Sequence, residues 1–279
     1  MPGIRTKFEN CFVAYVDLLG FKNKVLGNPR NQEALSVLKD SLKICASFPS
    51  GGKKASLGDG GYRKIDVQSR FFSDTVVLFM KESPDNLSHL LFMIRYLQDK
   101  LWEKELCMRG AITHGEMYWP KTKEKGITLG KALIEAHELE SNVAIYPRII
   151  LSEGIYQYII RNNIIAEPFA EYGNLHEYIS TDEAGIHYLN LLHNEIKRRS
   201  GEEFVKYKNG FSINWNETES SNISNIIGLV EQTIDNNIES SDYKVKIKYQ
   251  WLKKYLDKIS QYGRHDTQSR PQNFRSSSE

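Results

Sequence analysis

Two aspartates that border apolar, β-forming stretches are the residues of this sequence best placed to do chemistry. Asp17 ends the run Cys11–Asp17 and is followed by Leu18-Leu19-Gly20-Phe21, and Asp74 stands at the start of an apolar run that reaches Phe79. A carboxylate with β-formers on both sides is costly to bury unless it is paired or binds a metal. If the two strands are neighbours, the carboxylates offer hard oxygen ligands for Mg²⁺ or Mn²⁺ carrying a triphosphate.

The composition limits the classes of protein to which the chain can belong. At 279 residues, with 40% hydrophobic and 26% charged residues, we expect a soluble protein with one large domain or one domain plus a helical appendage. The net charge of +2 gives no reason to expect a nucleic acid or a membrane as partner. No apolar stretch approaches a membrane span or a signal peptide, so a cytoplasmic location is expected. The three cysteines are widely spaced, which predicts reduced, buried thiols.

Hydrophobic periodicity predicts the elements that must position the two aspartates. A strand over 11–17 precedes Gly20 and a helix over about 31–48, and the glycine-rich stretch 49–61 predicts a mobile loop. Two antiparallel strands over 64–69 and 72–80 place Asp74 near their turn. Further along, the pattern predicts a helix over 84–102, a strand over 106–119, a turn at 120–126, a helix over 130–143 and a strand over 147–152.

This order of elements predicts an α+β fold. We expect one mostly antiparallel sheet with helices on a face, the ferredoxin-like group of architectures. After about residue 155 there are weaker strand candidates at 162–167 and 175–180, followed by helices over 222–239 and 242–261. The lysines of the last helix are expected to form a solvated face beside a packed stripe, which consists of Tyr243, Ile247, Trp251, Tyr255 and Ile259.

The residues alone point to nucleoside triphosphate chemistry. The strand-end Asp17 with its glycine turn and the second carboxylate of Asp74 are joined by Arg109-Gly110 on a third strand and by a helix that begins Gly130-Lys131. Backbone N–H groups at Leu19–Phe21 could receive phosphate oxygens at a helix start. The pattern does not choose among the reactions of a triphosphate.

At these residues the sequence resembles the class III nucleotidyl cyclases, over roughly residues 10–155. Asp17-Leu18-Leu19-Gly20-Phe21 matches the Asp-x-x-Gly-Phe that ends the first strand of that family, and Ser73-Asp74 matches the hairpin with the second metal-binding Asp. Ala111–Glu116 resembles the family's Gly-x-His-x-Gly strand segment. Gly130–Glu140 resembles its helix of the form Gly-x-x-Val-Asn-x-Ala-x-Arg-Leu-Glu.

The departures from the purine cyclases are also informative. Ile134 and Glu138 stand where those enzymes place their transition-state Asn and Arg. Arg70 stands where adenylate cyclases carry a base-reading Lys, and the partner base-reading position falls near Ile127 or Thr128. In this variant pattern the chain is similar to the pyrimidine cyclases of bacterial Pycsar antiphage systems.

This resemblance implies a function and an organisation. We expect a cyclase catalytic domain over 1–160, an α/β-to-helical extension packed on it over 161–262, and a disordered tail over 263–279. The enzyme would be a homodimer with its site at the interface, making cyclic UMP from UTP, or cyclic CMP from CTP, for a separate effector protein in antiviral defence. Two alternatives stay open: a purine (adenylate or guanylate) cyclase, and a catalytically silent nucleotide sensor.

The resemblance also assigns roles to residues. Asp17 and Asp74 would be catalytic and hold two divalent ions, Mn²⁺ or Mg²⁺, about 3.5–4 Å apart, with the Leu18 carbonyl as a further metal ligand. The residues expected to bind the nucleotide are Leu19, Gly20, Phe21, Arg70, Arg109, Lys131 and Arg148. Ordinary structural roles compete with these assignments: the aspartates could cap turns, Arg109 could pair with a carboxylate at the sheet edge, and Lys131 could be solvated.

Overall fold

A computed structural model of the chain describes residues 8–21, 36, 53–56, 62–65, 67–119, 128–164, 178–192 and 226–268. These residues form an α+β fold, as the sequence predicts, with one large and mostly antiparallel sheet and helices packed against it. The predicted turn at 120–126, and the predicted helix over 31–48 apart from Ser36, lie outside the described residues.

Most elements begin and end within a few residues of their predicted bounds. The strands are β1 (Glu9–Leu19), β2 (Lys53–Ser56), β3 (Tyr62–Ile65), β4 (Gln68–Phe72), β5 (Thr75–Lys81), β6 (Cys107–Tyr118), β7 (Leu129–Gly130), β8 (Ile149–Leu151), β9 (Ile179–Thr181) and β10 (His187–Leu189). The helices are α1 (Pro84–Trp102), α2 (Lys131–Asn142), α3 (Glu153–Asn162), α4 (Ile226–Ile238) and α5 (Tyr243–Gln268).

Strand β1 lies inside the sheet, and its two neighbours set the geometry of the candidate site. The strand order is β4-β5-β1-β6-β8-β10-β9, with β7 paired to β6. β1 is antiparallel to both β5 and β6, and it places Asp17 opposite Thr75 on one side and opposite Arg109 on the other. The long apolar run of β1 suits a strand that is covered on both faces.

Alternate residues of β1 face two separate parts of the core. Even-numbered residues from Phe12 to Leu18 join a large cluster with α1, α3, α4 and α5. Odd-numbered residues beginning with Cys11 join a smaller cluster with Ala132 of α2. Helices therefore cover both faces of the sheet, rather than the one face that we predicted. Asp17 is odd-numbered and belongs to the α2 face, because side chains alternate along a strand.

The chain after residue 160 continues the same sheet. Tyr188 of β10 pairs with Ile150 of β8, and β9 pairs with β10. Helix α5 buries Tyr249, Leu252, Tyr255 and Leu256. Tyr243, which we placed in the packed stripe, is 75% exposed. The proposed division of the chain near residue 160 stays a prediction.

Two predictions around the β4–β5 hairpin were wrong in detail. Lys53–Ser56, inside the predicted loop, forms β2 and pairs with β3. The predicted strand over 64–69 spans the end of β3 and the start of β4, which belong to different sheets. Polar, lysine-containing strands such as β2 give no hydrophobic alternation, so backbone pairing decides their structure.

Two further predictions were wrong in the C-terminal half. Residues 162–164, predicted as part of a strand, close α3, where Asn163 has a left-handed φ of 43°. The Ser152 hydroxyl caps this helix by accepting a hydrogen bond from the Ile155 N–H. Helix α5 also continues to Gln268, into the segment predicted to be disordered, because local i→i−4 hydrogen bonds suffice to extend a helix.

The cysteines that the structure describes are as predicted. Cys11 and Cys107 are free and buried, and burial raises the pKa of each thiol to about 12. Such thiols are unreactive at neutral pH. Cys45 lies outside the described residues. Of the helices within the described ranges, none is both long and apolar enough to cross a membrane.

Gly110 of β6 lies so close to β1 that a side chain would collide with the backbone. A Cβ atom on Gly110 would lie 2.3 Å from the carbonyl oxygen of Tyr15 and 3.0 Å from the Cα of Val16. We expect Gly110→Ala to lower the free energy of unfolding by about 2–3 kcal/mol, because two strands inside the sheet must move apart. Urea unfolding measures this change.

Gly154→Ala is the matched control. The atom nearest to a Cβ on Gly154 is the Ser152 Oγ, at 3.8 Å, so this variant should stay within about 0.5 kcal/mol of the parent. A Gly110→Ala protein as stable as the parent would contradict the close approach of β1 and β6.

Candidate functional site

The end of β1 and the turn of the β4–β5 hairpin are joined by a backbone hydrogen bond. The N–H of Leu18 donates to the carbonyl oxygen of Asp74 at 2.9 Å. Ser73 and Asp74 form the two-residue connection between Phe72 and Thr75, which pair with each other, and Ser73 has a left-handed φ of 57°. Asp74 therefore lies in the turn itself, beside the residue that follows Asp17.

Asp17 belongs to a chain of charged side chains that crosses from the sheet to α2. Arg109 Nε donates to Asp17 Oδ2 at 3.1 Å, and Arg109 Nη2 lies 2.8 Å from Glu140 Oε1. Asp17 and Arg109 are half-buried, while Glu140 is only 4% exposed. The strand pairing that puts Arg109 opposite Asp17 gives this contact its geometry.

The two carboxylates that Arg109 joins are incompletely stabilised by the protein. Burial raises the pKa of the Asp17 carboxyl, Arg109 acts against that rise, and the negative charge of Asp74 adds to it. Burial also raises the pKa of Glu140, again opposed by Arg109. A further cation near Asp17 would favour the ionised form of its carboxyl group.

The oxygen atoms of Asp17, Asp74 and the Leu18 carbonyl are ligands of the kind that a hard divalent cation binds together with the phosphates of a substrate. Asp17 Oδ2 is taken by Arg109, while Asp74 in the adjoining turn is half-buried. The N–H and C=O of a strand residue point to the same side, so the Leu18 carbonyl faces the hairpin as its N–H does. Magnesium is commonly held by one or two carboxylates with substrate phosphates and water. Within the described ranges no group of three or more His, Cys, Asp or Glu side chains could hold a metal ion.

The segment Leu19-Gly20-Phe21 makes the turn that follows Asp17. Gly20 has φ +85°, a left-handed conformation that favours glycine, and Phe21 begins a helical stretch and is buried. The helix that would present N–H groups to phosphate lies outside the described residues, so phosphate binding here stays a prediction.

The structure brings Arg70 together with Thr128, one of the two candidates for the partner base-reading position, while Ile127, the other, lies outside the described residues. Arg70 Nε donates to Thr128 Oγ1 at 3.2 Å, and Arg70 Nη1 donates to the Ser69 carbonyl at 2.7 Å. The guanidinium also lies 5.7 Å from the ring centroid of Phe79. Arg70 is opposite Val77 in the hairpin, so it lies near the Asp74 turn.

Lys131 does not join the carboxylates within one chain. It is exposed at the start of α2, about 13 Å along the helix axis from Glu140. It shares an exposed stripe of α2 with Ile134 and Glu138. A role for Lys131 at a nucleotide would therefore involve the site of a second chain.

Arg148 makes structural contacts, and its expected role at a nucleotide stays a prediction. It is 3% exposed, and its Nη1 donates to Asp182 Oδ2 at 2.8 Å. Its guanidinium is surrounded by three rings at 5.1–5.6 Å, those of Tyr146, Tyr188 and Trp251. Arg148 thus ties β8 to the β9–β10 hairpin and to α5.

Two residues near Asp17 received no role from the sequence. Glu140 ends the segment Gly130–Glu140, which resembles the cyclase helix motif. The sequence gives no sign of its ion pair with Arg109. Lys248 of α5 is half-buried and interacts with Asp17 and Glu140, although we expected the lysines of this helix to be solvated. A lysine in a helix with other lysines carries no local signal of such a contact.

No protein-family model matches the chain, and no curated protein matches it. The chain is similar in fold to the guanylyl cyclase Cya2, at 14% identity and TM-score 0.39, over 66% of this chain and 92% of that one. A dimeric guanylyl cyclase domain of the RhoGC fusion protein from the aquatic fungus Blastocladiella emersonii gives 14% identity and TM-score 0.42, over 65% and 96%.

An adenylate/guanylate cyclase/hydrolase from Silicibacter pomeroyi gives 15% identity and TM-score 0.37, over 66% of this chain and 98% of that one. Likenesses with TM-scores this low carry no conclusion about activity.

The Arg148–Asp182 pair predicts a pH dependence of stability. Partial burial acts to raise the pKa of Asp182, but hydrogen bonds from Ile186 and Arg148 outweigh it and hold this pKa below the usual value. A lowered carboxyl pKa stabilises the fold above the ordinary carboxyl pKa, and that stabilisation is lost as the pH falls through the lowered value.

Asp182→Asn should therefore lose about 2–4 kcal/mol at pH 7, because Arg148 keeps a buried charge without its carboxylate. Between pH 5 and pH 2, on the order of the titration range of a carboxyl group, the variant should lose less stability than the parent. Urea unfolding across this range measures both. Parallel pH curves for parent and variant would contradict the assigned ion pair.

Proposed function

We propose that the chain is a nucleotidyl cyclase that converts a pyrimidine nucleoside triphosphate, UTP in preference to CTP, into its 3′,5′-cyclic monophosphate and pyrophosphate. The observation that carries the proposal is the 2.9 Å hydrogen bond from Leu18 to the Asp74 carbonyl. It joins the backbone of Asp74 to the residue that follows Asp17, at residues where the sequence resembles class III cyclases.

In this reaction the ribose 3′ oxygen bonds to the α-phosphorus and the bond to the pyrophosphate breaks. Divalent cations at the site would lower the pKa of the 3′-hydroxyl and neutralise charge on the leaving group. The protein's own part is to hold them with Asp17, Asp74 and the Leu18 carbonyl. Arg109 fixes one oxygen of Asp17 and so orients the other. Positioning and charge neutralisation then supply most of the rate.

Arg70 and Thr128 are the proposed base-reading pair. A guanidinium carries only hydrogen-bond donors, and uracil offers a carbonyl oxygen at C4, where cytosine carries an amino group. Arg70 therefore favours UTP over CTP at this position. Guanine also presents a carbonyl acceptor, which keeps a purine cyclase as the alternative for the assay to decide.

The exposed stripe of α2 supports a homodimer with a shared site. Lys131, Ile134 and Glu138 lie on this stripe, and Ile134 is 61% exposed. Phe72, beside the Asp74 turn, is also 61% exposed. In the proposed dimer the stripe of one chain lies over the carboxylates of the other, where Lys131 contacts phosphate.

The product would act as a second messenger for a separate effector in antiviral defence.

The deciding experiment incubates the purified protein with Mn²⁺ and each of UTP, CTP, ATP and GTP, labelled in the α-phosphate, and separates the products. The proposal predicts a cyclic pyrimidine product, with cyclic UMP in excess. A cyclic purine product alone would replace the proposal with a purine cyclase. No product from any triphosphate would favour the silent sensor. Ile134 and Glu138 already favour that alternative, because they replace the Asn and Arg that purine cyclases carry at these positions.

Asp74→Ala should reduce product formation by at least about 100-fold, because it removes a charged ligand from the reacting centre. Its thermal midpoint should stay within about 3 °C of the parent, since the backbone carbonyl that bonds to Leu18 remains. Asp235→Ala, on the exposed face of α4, is the control and should keep full activity. An active Asp74→Ala protein, or one that no longer melts cooperatively, would refute this role for Asp74.

Arg70→Gln should shift base preference toward CTP. The Gln amide keeps donors and adds an acceptor for the cytosine amino group, so the ratio of kcat/KM for UTP to that for CTP should fall about tenfold. Thr128→Val tests the neighbouring hydroxyl, with a smaller change expected. An unchanged ratio in both variants would remove Arg70 and Thr128 from base selection.

A further inference from the structure

Two of the three contacts that hold the Arg109 guanidinium come from the end of α2 and from residues 143–148, the α2–β8 connection. Arg109 Nη1 donates to the carbonyl oxygen of Ala144 at 3.5 Å, and Nη2 lies 2.8 Å from Glu140 Oε1. The remaining nitrogen, Nε, donates to Asp17 Oδ2 at 3.1 Å. Because a guanidinium is planar and rigid, a shift of the first two acceptors turns the nitrogen that bonds to Asp17.

The α2–β8 connection passes from one face of the sheet to the other. Ala132 and Ala136 of α2 belong to the smaller core cluster, on the face of the Asp17 side chain. Ala144 is wholly buried and belongs to the large cluster, which also contains residues of α5. A contact between α5 and this connection can therefore reach Arg109, although α5 packs on the opposite face from Asp17.

Helix α5 makes such a contact through Trp251. Its ring stacks on Tyr146, two residues after Ala144, with centroids 5.3 Å apart and planes inclined by 6°. The Arg148 guanidinium lies 5.5 Å from the Trp251 ring centroid, and Tyr255 stacks on Trp251 at 5.3 Å. Trp251 thus joins two residues of the α2–β8 connection to the packed stripe of α5.

We propose that Trp251 is a positioning residue for the Asp17 carboxylate, an inference that rests on the proposed function. Its stacking on Tyr146 fixes the α2–β8 connection. The connection and the end of α2 present two acceptors to Arg109, and Arg109 in turn orients Asp17. In a reaction that depends on positioning, a displacement of about 1 Å can cost on the order of 100-fold in rate.

The geometry favours this role over simple packing of the core. Trp251 is only half-buried, whereas the next residue, Leu252, is buried. Burial of apolar surface alone would not require the Trp251 and Tyr146 rings to lie almost parallel. Stacked rings restrict the movement of both partners, because the attraction depends on their offset and orientation.

The first test measures the position of Arg109 without metal or nucleotide. In ¹H–¹⁵N NMR spectra of the full chain, the Arg109 Nε–H signal is assigned by its loss in Arg109→Lys. Its exchange with solvent should be slow in the parent, because it is bonded to Asp17 in a half-buried place. Trp251→Leu keeps apolar bulk without a stacking ring, and exchange should be about tenfold faster in this variant.

Three further variants make the test specific. Trp251→Phe keeps an aromatic ring and should stay within about threefold of the parent. Tyr146→Leu removes the ring on the other side and should act as Trp251→Leu does. Ile234→Ala is the matched control: it removes a buried side chain of α4, a helix that packs on α5. It should lower stability and leave the exchange of Arg109 unchanged.

The second test measures turnover of the same variants with Mn²⁺ and the preferred triphosphate, well below each thermal midpoint. Trp251→Leu should lower kcat at least about tenfold and leave the KM for the nucleotide within about threefold, because only the positioning of the reacting centre changes. Trp251→Phe should restore most of kcat. Circular dichroism confirms that each variant is folded.

Unchanged exchange of Arg109 in both Trp251→Leu and Tyr146→Leu would overturn the proposal. An equal effect of Ile234→Ala would also overturn it, because any loss of packing would then disturb Arg109. If exchange responds as expected and the parent forms no cyclic nucleotide, the link from Trp251 to Arg109 stands and the cyclase proposal fails. If the parent forms cyclic nucleotide and Trp251→Leu keeps the parent kcat, the cyclase stands and the role of Trp251 falls.

Discussion

The hydrogen bond from the Leu18 N–H to the Asp74 carbonyl is the constraint on which the candidate site depends. It extends the β1–β5 pairing by one step beyond Asp17 and Thr75, into the turn of the hairpin. The β1–β5 pairing already puts Asp17 opposite Thr75, and this bond fixes the backbone of the turn residue Asp74 beside Leu18. In the proposed site, the two carboxylates and the Leu18 carbonyl face one place at the end of this interior strand.

Charge balance at this place explains the surrounding side chains. Arg109 bridges Asp17 and buried Glu140, which prevents either carboxylate from being left unpaired inside the protein. Because one guanidinium cannot neutralise two carboxylates, further cations are drawn to the group. Divalent ions are the cations that the proposed reaction requires there.

Local signals made much of the fold predictable, and the contacts that they missed are long-range. Helix α1 was predicted at its observed bounds because Pro84-Asp85 and an apolar stripe define it within the sequence. The proximity of Asp17 and Asp74 was predicted because both border strong apolar strands. The Arg109–Glu140 pair depends on how α2 packs against the sheet, and the burial of Lys248 depends on how α5 packs. No neighbouring residue in the sequence indicates either packing. Arg148 lies against the rings of Tyr146, Tyr188 and Trp251 and beside Asp182, and of these residues only Tyr146 is near it in the sequence. Its expected role at a nucleotide stays a prediction.

The most direct measurement is anomalous X-ray diffraction from crystals grown with Mn²⁺ and a non-cyclisable UTP analogue that lacks the 3′-hydroxyl. The account predicts two manganese peaks about 3.5–4 Å apart, both at bonding distance from the carboxylates of Asp17 and Asp74, with the phosphate chain across them. Manganese bound elsewhere, or the two side chains turned away from each other around an ordered nucleotide, would contradict it.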